Sequence, residues 1–234
     1  MAGKKPFVLA VIPARGGSKR LPRKAIIPLA GKPLLCYTIE EALKSKLLDK
    51  IVVTTEDDEI ASVARKYRGI TVIDRPERLA QDDSPMAAVV EHAVKFTDGK
   101  DIADIIVLLQ PTSPLRKAKD IDDCIEKVLD GADSAETFCE VKYYPHGMFR
   151  IEGDKATPYD EEGLKKYQRI QDAPKLYREN GAVYAVKKQV LIRENNFYGK
   201  DHRAIVMPEE RSVDIDTFLD LKLAEVIINE NKNR

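Results

Sequence analysis

Short apolar runs recur along the first half of the chain and predict the strands of an α/β sheet. The runs lie at Phe7–Ala14, Ile51–Thr55, Ile70–Ile73 and Ile105–Leu109, and segments with the apolar spacing of helices separate them. Strands that alternate with helices are typical of a mostly parallel sheet. The first and last runs are almost continuously apolar, which predicts central strands covered by helices on both faces.

The segments between these runs predict the helices. They are expected at Pro33–Lys44, Asp57–Tyr67, Ser84–Phe96 and Lys119–Leu129, followed by a closing amphipathic helix at Thr217–Asn229. Several of them begin at an Asp or Ser, whose side-chain oxygen accepts hydrogen bonds from the free N–H groups of the first turn, or near an early proline. We therefore expect helices with well-defined starts.

After Gly131 the pattern changes and predicts an inserted arm. The strands expected in this part are Ser134–Lys142, Met148–Ile151, Gly181–Lys187 and Ala204–Met207. An irregular charged stretch runs from Glu152 to Glu179, and a long loop of that kind in a compact domain usually has a function or contacts a partner. We expect one domain over residues 1–234, with an arm inserted at about 134–172.

Composition narrows the class of protein. The chain has 234 residues, of which 43% are hydrophobic, and its 39 basic residues balance 39 acidic ones. No overall field attracts it to nucleic acid or to an anionic membrane, so any phosphate binding is local. The apolar segment after the basic N-terminus is too short for a spanning or signal helix, which favours a cytoplasmic protein. Three widely separated cysteines suggest neither disulfides nor zinc.

A basic, glycine-containing loop follows the first buried strand. In an open α/β sheet, ligands bind beyond the carboxyl ends of the strands, where glycines let backbone N–H groups approach phosphate oxygens. The residues expected to contact a nucleotide triphosphate here are Ala14, Arg15, Gly16, Gly17, Ser18 and Lys24. The loop matches neither the P-loop pattern nor the dinucleotide-binding pattern, so kinase and dehydrogenase functions lose their main support.

Two further polar segments follow predicted strands. Arg75–Ser84 is a polar loop, which taken alone is only weak evidence for a ligand contact. Gln110–Arg116 follows the most apolar strand, so Gln110 is expected at the same sheet edge as the basic loop. Its two prolines favour a rigid turn, and its glutamine offers both a donor and an acceptor.

An acidic pair near the C-terminus is the candidate metal site. In an extended segment Asp214 and Asp216 lie on one side and Ile215 on the other. Two carboxylates beside a triphosphate supply part of an octahedral Mg²⁺ or Mn²⁺ site. The alternative is helix capping, because Thr217 and Asp220 form a capping-box-like pair. Both roles are compatible.

Taken in order, these motifs resemble those of the acylneuraminate cytidylyltransferases, also known as CMP-sialic acid synthetases. The matching segments are Ile12–Lys24, Pro28–Leu34, Arg75–Ser84, Gln110–Arg116, Arg169–Tyr184 and Ser212–Thr217. The resemblance implies a Rossmann-like nucleotide-diphospho-sugar transferase fold with a small dimerisation arm. It also implies transfer of CMP from CTP to an acidic nonulosonic sugar, with release of pyrophosphate, by a homodimer.

The resemblance also assigns roles to residues. Arg15, Lys24 and Asp214 are the expected catalytic residues, with Asp214 a candidate acceptor for the proton of the sugar hydroxyl. Asp214 and Asp216 are the expected metal ligands. Cytosine is expected to be read by Arg75, Ala80 and Ser84. The sugar is expected to contact Gln110, Arg169, Gln171, Asn180, Gly181, Tyr184, Phe197 and Tyr198.

Two positions depart from the family pattern and leave alternatives open. Ala25 stands where the family usually has Asn, and Ile170 stands where it has a second Arg. The acceptor is therefore sialic acid, a pseudaminic or legionaminic acid, or an eight-carbon acid sugar. More distant alternatives are a sugar 1-phosphate nucleotidyltransferase and a nucleotide-binding module without catalysis.

Overall fold

The computed structural model describes residues 5–97, 103–167, 169 and 172–232. The strands are β1 Val8–Pro13, β2 Pro28–Leu29, β3 Lys32–Pro33, β4 Lys50–Thr55, β5 Ile70–Asp74, β6 Ile105–Leu108, β7 Ser134–Glu140, β8 Phe149–Glu152, β9 Lys155–Pro158, β10 Tyr177–Lys187 and β11 His202–Val206. The helices are α1 Leu34–Lys44, α2 Asp58–Arg65, α3 Met86–Thr97, α4 Ala118–Leu129, α5 Glu161–Lys166, α6 Lys188–Glu194 and α7 Phe218–Lys232.

A seven-stranded sheet forms the centre of the molecule, in the order β11-β7-β10-β6-β1-β4-β5. Only β10 runs antiparallel to its neighbours in this sheet; the other strand pairs are parallel. Every residue of β1 and β6 is buried, as their continuous apolar sequences predict. The prediction of an α/β fold with a mostly parallel sheet is confirmed.

Helices cover both faces of the sheet. Apolar residues of α1, α2 and α4 pack with one face, and residues of α3 and α6 pack with the other. A third apolar cluster joins α7 to the segment after β1. The helix starts also follow the sequence: Asp57 accepts hydrogen bonds from the N–H groups of Glu59 and Ile60, both at 3.0 Å. No helix within the described ranges is long and apolar enough to cross a membrane.

The arm differs from its predicted limits. β7 was expected to begin the arm but lies inside the central sheet, where it pairs with β10 on one side and β11 on the other. The segment outside the sheet therefore runs from 141 to 176. It contains the β8–β9 hairpin and the short helix α5, where an irregular stretch was expected. Sequence reasoning also missed α6, a helix of two turns.

Candidate active site

A cleft of ≈ 520 Å³ opens at the carboxyl edge of the parallel strands. It lies between the loop after β1 and the loop after β6, as expected for a ligand site in this type of sheet. Its lining includes most of the predicted phosphate loop together with Gln110 and Asp216. The lining residues are Pro13, Ala14, Arg15, Ser18, Lys19, Arg20, Lys24, Ala25, Arg75, Asp82, Met86, Gln110, Pro111, Thr112 and Asp216.

The loop after β1 is fixed against the start of α2. The N–H of Gly16 donates to Glu56 Oε1 at 2.7 Å. A Cβ atom at Gly16 would lie 2.5 Å from Asp57 Oδ2, which explains why this position is a glycine. Arg23 adopts a left-handed backbone conformation and forms an ion pair with the Asp57 carboxylate. The loop is therefore held at its first glycine and at its far end.

The cations of this loop are neutralised by carboxylates of the same chain. Arg15 donates to Asp82 Oδ1 at 2.7 Å and to the carbonyl of Ala80 at 3.2 Å. Lys19 lies 2.5 Å from Asp82 Oδ2. These contacts with Lys19 and Arg15 lower the pKa of Asp82. Asp82 therefore connects the loop after β1 to the segment after β5 across the mouth of the cleft.

A second carboxylate holds the other cations. Lys24 Nζ lies 2.8 Å from Asp216 Oδ1, and Arg20 lies 3.1 Å from Asp216 Oδ2. The segment that carries Asp216 is attached to the loop after β6 because the N–H of Ile215 donates to the carbonyl of Thr112 at 2.8 Å. Asp216 of the predicted acidic pair thus meets the predicted phosphate loop, whereas Asp214 does not line the cleft.

The two aspartates have the chemistry that a divalent cation needs. Ile215 is fully buried in the third apolar cluster, as the extended pattern predicts. Asp214 is mostly buried, and its Oδ1 has no partner at hydrogen-bond geometry. Burial raises its pKa, an effect that the nearby Thr112 hydroxyl opposes and the charge of Asp216 adds to. No group of three or more His, Cys, Asp or Glu side chains forms a ready-made metal site in the described residues. A metal here would take its remaining ligands from phosphate and water.

Arg75 lines the cleft and also has a structural role. Its guanidinium donates to the carbonyls of Ala14 at 3.1 Å and Thr54 at 2.5 Å, joining the ends of β1 and β4. Burial lowers its pKa to about 10, and its Nε has no partner. Of the residues predicted to read the base with it, Ala80 bonds Arg15 through its carbonyl. Ser84 does not line the cleft, because its hydroxyl closes a local turn with Arg78 and Gln81.

Gln110 reaches the cleft because a buried arginine fixes its backbone. Arg116 donates to the carbonyl of Gln110 at 2.5 Å, the carbonyl of Ala182 at 2.5 Å and the hydroxyl of Thr38 at 3.1 Å. Only 1% of Arg116 is exposed, and burial lowers its pKa to about 10. Gly181, with a φ of +72°, lies beside Gln110: a Cβ there would be 3.5 Å from Gln110 Oε1.

The other residues predicted for the sugar fall into separate groups. Tyr184 and Phe197 pack with ring centroids 5.8 Å apart, and Tyr198 lies in the loop just after Phe197. Exposed Arg169 pairs with Asp172 at 2.8 Å and does not line the cleft. Gln171 and Ile170 lie outside the described residues.

Asn180, which was predicted to contact the sugar, is buried away from the cleft lining. Its side chain is buried, with 1% of the residue exposed. The amide oxygen accepts from the Thr137 hydroxyl at 2.7 Å, and the amide nitrogen donates to the Ser212 hydroxyl at 3.0 Å. Asn180 therefore joins β10, β7 and the segment before Asp214, and it does not line the cleft.

Three functional candidates were missed by sequence reasoning. Asp82 and Arg116 lie inside motifs that were recognised, but which cation or carbonyl each contacts depends on the fold. Glu136 carries no motif at all: it lies between Ala135 and Thr137 in β7, and no local sequence pattern marks it. Its side chain is fully buried.

Comparisons with known proteins identify the family of this chain. The sequence profile described as Cytidylyltransferase matches residues 9–232. The pseudaminic acid cytidylyltransferase of Campylobacter jejuni subsp. jejuni serotype O:2 is 34% identical over 95% of this chain and 97% of its own length. The CMP-N,N'-diacetyllegionaminic acid synthase of Legionella pneumophila is 34% identical, covering 96% of this chain and 97% of its own.

A longer relative and a solved structure extend the comparison. The N-acylneuraminate cytidylyltransferase of Escherichia coli O18:K1:H7 is 35% identical over 97% of this chain, which spans only 53% of that protein. The structure of CMP:2-keto-3-deoxy-manno-octonic acid synthetase complexed with CTP superimposes with a TM-score of 0.74 at 17% identity, covering 96% of this chain and 99% of that one. That likeness concerns the fold. The chain belongs to the cytidylyltransferase family.

Proposed function

We propose that this protein transfers CMP from CTP to an acidic nonulosonic sugar, forming a CMP-sugar and releasing pyrophosphate. The observation that carries the proposal is the meeting of Lys24 and Asp216, at 2.8 Å, in the cleft that Gln110 also lines. A cationic loop for a triphosphate, an acidic pair and a polar sugar contact are the parts that this reaction needs.

The chain's own groups support the transfer in the following way. The sugar hydroxyl oxygen attacks the α-phosphorus, the bond to the β-phosphate oxygen breaks, and the hydroxyl proton passes to Asp214. Arg15 and Lys24 stabilise the negative charge that moves onto the leaving pyrophosphate, since such transfers depend mainly on positioning and electrostatics. Nucleotide phosphates replace Asp82 as the partner of Arg15.

The acidic pair fits a Mg²⁺ or Mn²⁺ ion. Asp214 and Asp216 supply hard oxygen donors, and the unpartnered Oδ1 of Asp214 is free to serve as one. When bound, the metal would neutralise phosphate charge and hold the triphosphate in line with the acceptor. Binding there requires Asp216 to give up its contacts with Lys24 and Arg20, which then turn to phosphate.

The acceptor is a sugar of the sialic acid type, and two of its subclasses have different support. Relatives that match along their whole length act, by name, on pseudaminic and legionaminic acids. The relative named for N-acylneuraminate is about twice as long as the region matched. Full-length similarity therefore favours a pseudaminic or legionaminic acid over N-acetylneuraminate.

We also propose that the protein is a homodimer joined through the arm. The hairpin and helix of the arm expose Phe149, Ile151 and Tyr159, each about half or more accessible. An apolar surface of this kind on a projecting hairpin is typical of a subunit contact. Light scattering should give a mass of two chains, and Ile151→Asp should shift it toward one chain, whereas Arg193→Asp, at an exposed position of α6, should not.

The direct test is pyrophosphate release from CTP, UTP, GTP and ATP with Mg²⁺. Each nucleotide is paired with N-acetylneuraminate, N,N'-diacetyllegionaminate, a pseudaminic acid, an eight-carbon acid sugar and a sugar 1-phosphate. Release with CTP and a nine-carbon acid supports the proposal. Release with only UTP or GTP and the sugar 1-phosphate would refute it.

A further inference from the structure

A buried carboxyl group without a hydrogen-bond partner lies on the sheet face next to Tyr184. Both carboxyl oxygens of Glu136 are inaccessible and lack a partner at hydrogen-bond geometry. Buried polar groups are almost always hydrogen-bonded, because leaving one unpaired is costly. An apolar residue of similar size would fit this position at lower cost, so the carboxyl group calls for a functional reason.

The strand register places Glu136 beside the proposed sugar-binding side chains. Glu136 is the direct cross-strand partner of Tyr184, and Tyr184 is the partner of Leu108, two residues before Gln110. Directly paired side chains lie on the same face of the sheet. Glu136 is therefore two strand spacings, about 10 Å, from the strand that delivers Gln110. A sugar whose hydroxyl reacts near Gln110 can meet Glu136 only with its remote end.

The groups around this carboxyl form a polar cluster, here called the edge cluster, which consists of Glu136, Glu179, Tyr184, Tyr198 and His202. His202 Nε2 lies 3.5 Å from Glu136 Oε2 and also lacks a hydrogen-bond partner. The other ring nitrogen, Nδ1, is 2.8 Å from the Ser134 hydroxyl, which fixes the imidazole plane. Burial and the charge of Glu179 raise the pKa of Glu136 to about 8, an effect that the nearby Tyr184 hydroxyl opposes.

Exposed residues lie next to the Glu136 carboxyl. α4 covers the opposite face of β7, which carries Ala135. On the side of Glu136, the Tyr198 ring packs edge-on against His202 with ring centroids 5.3 Å apart. Tyr198 is 42% exposed, and its hydroxyl donates to exposed Glu179 at 2.8 Å. The neighbour on β11 is Ala204, a small and exposed residue. The exposed contact between Tyr198 and Glu179 opens more readily than a packed helix, so a ligand can approach Glu136 from this side.

We propose that Glu136, supported by His202, is a specificity-determining residue that accepts a hydrogen bond from the N–H of an amino or acylamino substituent at the remote end of the acid sugar. This inference rests on the proposed function, because it assumes that the sugar lies over Tyr184. A carboxyl oxygen without a partner matches a donor, and the sugar's N–H supplies the bond that the free protein lacks.

The test compares two sugars that differ at one group. N-acetylneuraminate and its deoxy analogue, which has hydrogen in place of the acetamido group and so lacks the donor, are assayed with CTP, together with N,N'-diacetyllegionaminate. In Glu136→Met, which keeps the side-chain length but removes the acceptor, kcat/KM for the best acylamino sugar should fall about tenfold or more. For the deoxy analogue it should change less than about twofold, and KM for CTP should not change.

Two variants separate recognition from structure. Glu136→Gln keeps a carbonyl acceptor and should retain most of the discrimination between the two sugars. Glu140→Gln, on the same strand and face but paired with Lys175 at the surface, should behave like the wild type. If Glu136→Met does not fold, Ala204→Leu narrows the approach to the same carboxyl from β11 and should raise KM for the acylamino sugar alone.

The outcomes are distinct. Equal losses with both sugars, or no loss with either, would overturn the assignment of Glu136 while leaving the transferase activity in place. A wild-type protein that releases no pyrophosphate from CTP with any acid sugar would instead refute the proposed function. Selective loss with the acylamino sugar supports both.

Discussion

The two sides of the cleft carry their charges in opposite ways. On the proposed nucleotide side, the cations Arg15, Lys19 and Lys24 each contact a carboxylate of the same chain. On the proposed sugar side, the edge cluster contains a buried carboxyl, Glu136, that has no partner at hydrogen-bond geometry. In the free protein, the charges of the nucleotide side are paired, whereas the sugar side has a hydrogen-bond acceptor without a donor.

This difference indicates how each ligand is selected. Under the proposed function, the phosphates of CTP replace Asp82 and Asp216 as partners of these cations, so binding of the triphosphate exchanges one set of ion pairs for another. Such an exchange depends on the charge of the ligand and little on the rest of its structure. This suits the triphosphate, which is common to all nucleoside triphosphates. An unpartnered buried group discriminates more sharply, because a substrate without the matching donor leaves it unpaired.

The largest effect on activity is expected at Asp216, which contacts the loop cations and is a ligand of the proposed metal. Asp216→Asn should lower kcat by about 10²–10³-fold, because it weakens a metal ligand and the contact with Lys24 together. Pyrophosphate release measured against Mg²⁺ concentration should show a raised requirement for the metal. The control is Thr217→Ala, which removes only the hydroxyl that caps α7. It should cost about 1 kcal/mol of stability and leave kcat unchanged. Full activity in Asp216→Asn would show that neither the metal nor the cations of the nucleotide side depend on this carboxylate.

Arg116 connects the two sides, so its loss should damage both. Arg116→Ala leaves the carbonyls of Gln110 and Ala182 and the Thr38 hydroxyl without their buried donor. We expect the free energy of unfolding to fall by about 3–5 kcal/mol, measured by urea denaturation. Arg116→Lys should not restore it, because an ammonium cannot reach three acceptors in different directions. Arg193→Ala, at an exposed site, should change stability by less than about 0.5 kcal/mol. Near-native stability in Arg116→Ala would show that water replaces the guanidinium.

The sequence predicts the nucleotide side better than the sugar side, for a physical reason. Continuous apolar runs mark β1 and β6, and a ligand loop must follow a buried strand, so the position of Arg15 and Lys24 follows from local pattern. The environment of Glu136 depends on β7 pairing with β10 and β11, and strand pairing between distant segments leaves no local trace. For the same reason, the sequence analysis assigned β7 to the arm and predicted Asn180 as a sugar contact. α5 was missed because six residues are too few for helical periodicity.

The pH dependence of stability tests the unpaired state of Glu136 without any ligand. Its pKa is about 8 in the folded protein and near 4.5 when unfolded, so the folded state binds the extra proton between these values. The free energy of unfolding is therefore highest, as far as this group is concerned, below about pH 4.5. It falls as the pH rises toward 8, because the unfolded state then loses the proton more readily than the folded state. Glu136→Gln should therefore be more stable than the wild type at pH 8, by a few kcal/mol at most, and this gain should vanish near pH 4.5.

Thermal unfolding of the two proteins across that pH range measures the effect. Glu140→Gln is the matched control, since its ion pair with Lys175 is exposed and should give no such trend. A constant difference between Glu136→Gln and the wild type at all pH values would mean that the carboxyl is satisfied in the folded protein, and the contrast between the two sides would disappear.

The smallest expected effect is at Asp82, which competes with phosphate for Arg15 and Lys19. Because the contact is exposed, Asp82→Asn should lower KM for CTP only severalfold, with kcat nearly unchanged, and the gain should shrink as salt is added. Asp83→Asn removes the same charge from the adjacent residue and should have a smaller effect. A rise in KM for Asp82→Asn would show that Asp82 orders the loop for the nucleotide instead of competing with it. The ion pairs of the nucleotide side would then be a scaffold rather than an exchangeable set.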